Sequence, residues 1–103
     1  METAPQPGPG PGSGWTFLTN HARVLVQISR DPGSRTRDIA GRCLLTERAV
    51  QRIIVDLEAA GYLTHCRRGR GNVYHVVEGT VLRHPADSGA AVADLLALLN
   101  DPA

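Results

Sequence analysis

The chain has 103 residues, 42% of them hydrophobic, and a formal net charge of +1, which suffices for one modest core but not two. No apolar run approaches the roughly 18 residues of a membrane-spanning helix, and no charged segment leads into an apolar one near the N-terminus, so no secretory signal is expected and a cytoplasmic location is. The net charge hides a segregation that suits an anionic partner: all eleven basic residues are arginines between Arg23 and Arg83, where six acidic residues leave a surplus of five, while the flanks carry Glu2, Asp87, Asp94 and Asp101.

Residues 1–14, METAPQPGPGPGSG, alternate Pro and Gly. They have almost nothing to bury and are expected to be disordered. Residues 15–78 are expected to form the folded domain, and 79–103 a connector with a last helix. Trp15 is read as a core or dimer contact. Phe17 and Leu18 can staple the entry to a first helix, capped by Thr19 and running from about Asn20 to Arg30, with Ala22, Leu25, Val26 and Ile28 inward. Asp31-Pro32-Gly33 ends it as a turn.

Ser34-Arg35-Thr36 can pair as a very short strand. Thr36 can also cap a second helix, 37–43, whose Ile39, Ala40 and Cys43 face the core. Leu44-Leu45 makes a corner, and Thr46 caps a third helix. In that helix Val50, Ile53, Ile54 and Leu57 fall at i, i+3, i+4 and i+7, one apolar stripe. Glu47 sits where the helix dipole favours a carboxylate, and Gly61 is a suitable stop. Two helices joined by such a short corner make a helix-turn-helix. The outer face of the leading turns holds Thr46, Glu47, Arg48, Gln51 and Arg52, long hydrogen-bonding side chains placed as base readers in a major groove require.

After Gly61 the period changes to two. Segments 62–68 and 73–77 are rich in β-formers, and Gly69-Arg70-Gly71-Asn72 between them reads as a hairpin tip. Arg67, Arg68 and Arg70 cluster there, able to follow a phosphate backbone or enter a narrow minor groove. After a connector containing Pro85, Asp87 or Ser88 caps a last helix through Leu99. Its stripe of Val92, Leu95, Leu96 and Leu99 needs cover, and a helix-to-helix homodimer contact is preferred over folding back on the chain's own core.

The order helix, helix, polar-faced helix, basic hairpin resembles the winged helix-turn-helix transcriptional regulators, broadly MarR-like and ArsR-like. Asp38-Ile39-Ala40, Thr46-Glu47-Arg48-Ala49-Val50, the run from Leu57 to Leu63 and Arg68-Gly69-Arg70-Gly71-Asn72-Val73-Tyr74 carry the likeness, over about three fifths of the chain. It implies a mostly α, α+β fold: a winged helix-turn-helix with a two-stranded wing and a C-terminal dimerisation helix. It implies repressors or activators that bind palindromic operators as dimers, with Thr46, Glu47, Arg48, Gln51 and Arg52 reading DNA and the wing arginines on the backbone or minor groove. Arg35, Thr36, Arg37 and Asn72 complete the expected DNA-contacting set. Trp15, Val92, Leu95, Leu96 and Leu99 form the expected dimer interface. Two departures stand out: Leu44 occupies a corner where glycine is common, which predicts a less tight turn, and the chain is short for a MarR-like protein.

The reading is a sequence-specific regulator whose partners are double-stranded DNA and a second copy of itself. One alternative is a winged helix that binds protein. Another is a metal- or thiol-sensing repressor using Cys43, Cys66, His65 and His75, although no CxxC spacing is present and both cysteines read as buried thiols. No enzyme, metal or cofactor is expected: the chain lacks lysine, and its four histidines, His21, His65, His75 and His84, are dispersed without a placed nucleophile or acid–base pair.

Overall fold

The computed structural model describes residues 14–100, so nearly all of the Pro/Gly-rich stretch and the last three residues lie outside the described part. Three helices come first: α1 (Asn20–Arg30), α2 (Thr36–Cys43) and α3 (Glu47–Ala59). A two-stranded antiparallel hairpin follows, β1 (Leu63–Arg68) and β2 (Gly71–Val76), then a short 3-10 turn over Pro85–Asp87 and the last helix, α4 (Val92–Asn100). This is the expected mostly α winged helix-turn-helix. Among the described residues no helix is long and apolar enough to cross a membrane.

The Thr19 hydroxyl caps α1 by accepting from the Ala22 N–H at 3.1 Å, satisfying one of the donors a helix start leaves free. Leu25, Val26 and Ile28 are buried as expected. Val24, one turn before Ile28 on the same face, is fully buried too. Phe17 is 91% exposed and does not staple the entry. Leu18 is half-buried and lines a shallow pocket with Arg23 and Val26.

Segment 34–36 forms no strand. Its neighbour Pro32 accepts a single backbone bond from the Tyr74 N–H of β2 at 3.0 Å. Ser34 is drawn inward instead, buried and accepting from the Arg42 guanidinium at 3.1 Å. As a result Arg35 stands at the cap position of α2, and Thr36 is its first helical residue rather than its cap.

The corner between α2 and α3 is tighter than a non-glycine residue suggests. Leu44 itself adopts the left-handed conformation, φ 58° and ψ 43°, and the Leu45 N–H bonds the Ala40 carbonyl at 2.9 Å. A leucine there costs about 1–2 kcal/mol, and its side chain, 66% exposed, recovers little of that by burial. Leu44→Gly is therefore expected to hold or raise stability, by up to about 1 kcal/mol after glycine's larger unfolded-state entropy is offset. Leu44→Val should lose about 1 kcal/mol, since a β-branched residue fits that conformation worse. Urea titration of both variants checks the order.

The core joins Val24 and Ile28 of α1, Ile39 of α2, Val50, Ile53, Ile54 and Leu57 of α3, and Leu63 and Tyr74 of the hairpin. Helix α4 lies on the same core. Val92 is 2% exposed and Leu96 8%, and Leu99 packs against the cluster from its edge. Arg30 donates to the Asn100 side chain at 2.7 Å and to the Leu99 carbonyl at 2.8 Å, and Asn100 donates to the Ser29 hydroxyl at 2.9 Å. The last helix thus folds back on its own domain, contrary to the preferred expectation. The helix also begins later than expected, at Val92, after the turn that holds Asp87 and Ser88.

Candidate nucleic-acid interface

The Thr46 hydroxyl accepts from the Ala49 N–H at 3.1 Å and caps α3. Val50, Ile53, Ile54 and Leu57 are buried, which rolls the opposite face of the helix into solvent. Arg48, Gln51 and Arg52 lie on that face, all exposed. Gly61 ends the segment with φ 86°, a conformation that glycine takes at low cost.

The hairpin tip is shorter than the sequence suggests. Arg68 pairs with Gly71, so only Gly69 and Arg70 form the loop, and Gly71 and Asn72 belong to β2. Gly69 has φ 61° at the first central position, where two-residue hairpins favour glycine. The register then sorts the arginines. Leu63, His65 and Arg67 share a face with Asn72, Tyr74 and Val76, and buried Leu63 and Tyr74 mark it as the inward one. Arg68 points to the opposite face with Cys66 and His75. The three arginines thus leave the wing in different directions, Arg67 with Asn72 on the side of the helices, Arg68 away from them and Arg70 at the tip.

One open groove of about 350 Å3 lies between the start of α2, the start of α3 and the wing tip, bringing together Arg35, Thr36, Arg37, Glu47, Arg70 and Asn72. Thr36 donates to the Glu47 carboxylate at 3.5 Å across it. Arg35 pairs with Asp38 of its own helix at 3.3 Å. Thr46, Arg48, Gln51, Arg52, Arg67 and Arg68 stand outside the groove, all exposed. Arg37, Arg48, Arg52, Arg67, Arg68 and Arg70 form no ion pair with another described residue.

Two contacts that brace this surface were not legible in sequence. His65, tilted against Tyr74 across the hairpin with ring centroids 5.7 Å apart, pairs with Glu58 of α3, which ties the wing to the helix. His21 bonds Asp56 at 2.9 Å, tying α1 to α3. His21 and Asp56 are 35 residues apart, and His65 and Glu58 lie seven apart across the change from helix to strand; neither pair carries a motif.

The four residues considered for metal or thiol sensing separate. His65 serves Glu58. Cys66 and His75 meet on the outer face of the wing, Sγ to Nε2 3.6 Å. Cys66 is therefore exposed rather than buried, because the alternation of β1 turns it to solvent. Cys43 is half-buried on α2. Burial pushes its thiol up against the opposing pull of Arg23 and Arg42, which favours an inert protonated thiol. Among the described residues no three His, Cys, Asp or Glu side chains gather as metal ligands.

The expected dimer residues also divide. Val92 and Leu96 are used up in the chain's own core, Leu95 and Leu99 are half-buried, and Trp15 is exposed. Trp15 meets Phe17 edge to face at 5.0 Å, and Leu98 is exposed on α4.

No protein-family model and no curated protein matches the chain. Among solved structures, it is similar to the PcaV transcriptional regulator from Streptomyces coelicolor, solved in complex with its natural ligand: TM-score 0.53, 21% identity, 84% of this chain and 63% of that one. It is also similar to a MarR family transcription regulator, with TM-score 0.50, 21% identity, 81% of this chain and 55% of that one. The chain thus spans less than two thirds of either neighbour. What it shares with them is the fold.

Proposed function

We propose that the chain is a sequence-specific, double-stranded-DNA-binding transcriptional regulator that acts in the cytoplasm as a homodimer. One observation carries this reading: the solvent face of α3 presents Gln51 together with Arg48 and Arg52, the two arginines without ion-pair partners among the described residues, beside a groove lined by Arg70. Exposed arginines without a carboxylate partner, on a helix followed by a basic loop, are suited to polyanion contact.

In this reading α3 enters the major groove. Arg48 and Arg52 offer bidentate donors to guanine O6 and N7, and Gln51 suits adenine N6 and N7. Glu47, engaged by Thr36, accepts from a cytosine amino group. Arg35, Arg37, Arg67 and Arg70 follow phosphates, with Arg68 reaching a second strand or the minor groove. Asn72 supports the wing contact. Both regulators of similar fold are transcription regulators, which supports the class without identifying the operator.

The dimer surface we propose is not the core-facing side of α4. It is the outer edge of that helix, exposed Leu98 with half-buried Leu95, together with exposed Trp15 and Phe17. In vitro selection from a random duplex pool tests the whole reading. The expected product is a palindrome whose half-sites lie about one helical turn apart. Recovery of no enriched sequence, with capture of a protein partner instead, would favour an interaction module.

A further inference from the structure

The outward face of α3 holds one residue that its polar neighbours do not explain. Val55 lies three residues after Arg52, four after Gln51 and seven after Arg48, so all four share one face of the helix. It is 62% exposed. The inward stripe is complete without it, since Val50, Ile53, Ile54 and Leu57 are already buried. Helix propensity does not call for it either, because valine ranks below alanine and the long polar residues at an exposed helical position. A lone valine on an ordinary surface needs no explanation. On a face otherwise made of Arg48, Gln51 and Arg52 it does.

We propose that Val55 reads the C5-methyl group of a thymine in each half-site. This rests on the DNA-binding reading of α3 and adds the identity of one recognised base. Thymine's methyl is the only apolar group that base edges present in the major groove. Val55 lies about 10 Å along the axis from Arg48, comparable with a groove about 12 Å wide. Its side chain is stiff at χ1, so it presents two methyl groups with little entropy to lose. Ala59, one turn further on, is small and exposed and leaves the approach open.

The test replaces thymines of a selected operator singly with uracil, which removes the methyl and leaves every hydrogen-bonding group in place. For the unaltered chain, one thymine per half-site should respond with about a fourfold loss of affinity, the value of one buried methyl-sized group. Val55→Ala, which removes the contact from both half-sites, should bind the thymine operator about as weakly as the unaltered chain binds an operator carrying uracil at that position of both half-sites, and should no longer distinguish thymine from uracil there. Its melting temperature should not fall, since the side chain leaves no cavity and alanine favours the helix. Uracil sensitivity that persists unchanged in Val55→Ala, or its absence at every position in the unaltered chain, would overturn the assignment while leaving DNA binding intact. Selection that yields no operator would overturn both.

Discussion

Replacing Arg48 and Arg52 together with alanine is expected to lower affinity for a selected operator by at least about a hundredfold, with the fold unchanged. Each side chain positioned to bond a base edge contributes about 1–3 kcal/mol of discrimination, and 1.4 kcal/mol is tenfold. A dimer loses the pair twice. The loss has a floor, because phosphate contacts remain and non-specific binding survives. Specific complexes typically exceed non-specific ones by about 10³–10⁷, so the variant should slide toward that background. Both side chains are exposed and form no ion pair with a described residue, so stability should change by less than about 0.5 kcal/mol. Alanine at Arg67, Arg68 and Arg70 gives the contrasting signature: weaker binding to every sequence, and a log-affinity against log-salt slope reduced by roughly 0.9 for each phosphate that is no longer neutralised. Fluorescence anisotropy with operator and scrambled duplexes separates the two. If the Arg48 and Arg52 double variant keeps its preference for the operator, α3 is not the reading element.

The sequence made the reading helix legible for a physical reason. Its start, stripe and stop are all local: the Thr46 cap, the buried residues from Val50 to Leu57 and the left-handed Gly61 act within a few residues of one another. The wing was legible because the period changed and Gly69 fits a tight turn. Tertiary context decided what was missed. The same stripe that forecast a covered face on α4 could not say which surface covers it. Arg30, anchoring Asn100 and the Leu99 carbonyl from 70 and 69 residues away, favours the chain's own core. Thr36 had the chemistry of a cap, but the bond from Arg42 to Ser34 moves the helix start back by one residue. Leu44 departs from its own backbone preference because the corner must close for α2 and α3 to pack. The opposite directions of Arg67 and Arg68 follow from strand alternation, yet which of them turns inward depends on the register, and that is fixed by a loop of two residues rather than four.

Ile39→Ala is expected to be the most damaging single change to the fold, at about 2–5 kcal/mol. Ile39 is 0% exposed and sits on α2, which packs against both α1 and α3. Small domains have only about 5–15 kcal/mol in total, and at this size about 1 kcal/mol moves the melting point by roughly 4–8 °C, so a drop of at least about 8 °C should be seen by circular dichroism. Ile39→Val, which removes one methyl, should cost about 0.5–1.5 kcal/mol. A loss below about 1 kcal/mol for alanine would mean that the core is not centred on this side chain. The position also separates folding from recognition. Ile39 reaches no solvent, so any loss of DNA binding in Ile39→Ala must follow its unfolding curve and recover on cooling, up to the temperature at which the variant is folded. The Arg48 and Arg52 variant should show the reverse, weak specific binding at every temperature with an unshifted melting curve. Because α2 sets the pose of α3 through Ile39 and the tight Leu44 corner, these two variants bracket the same surface, one from beneath and one from the face turned to the duplex.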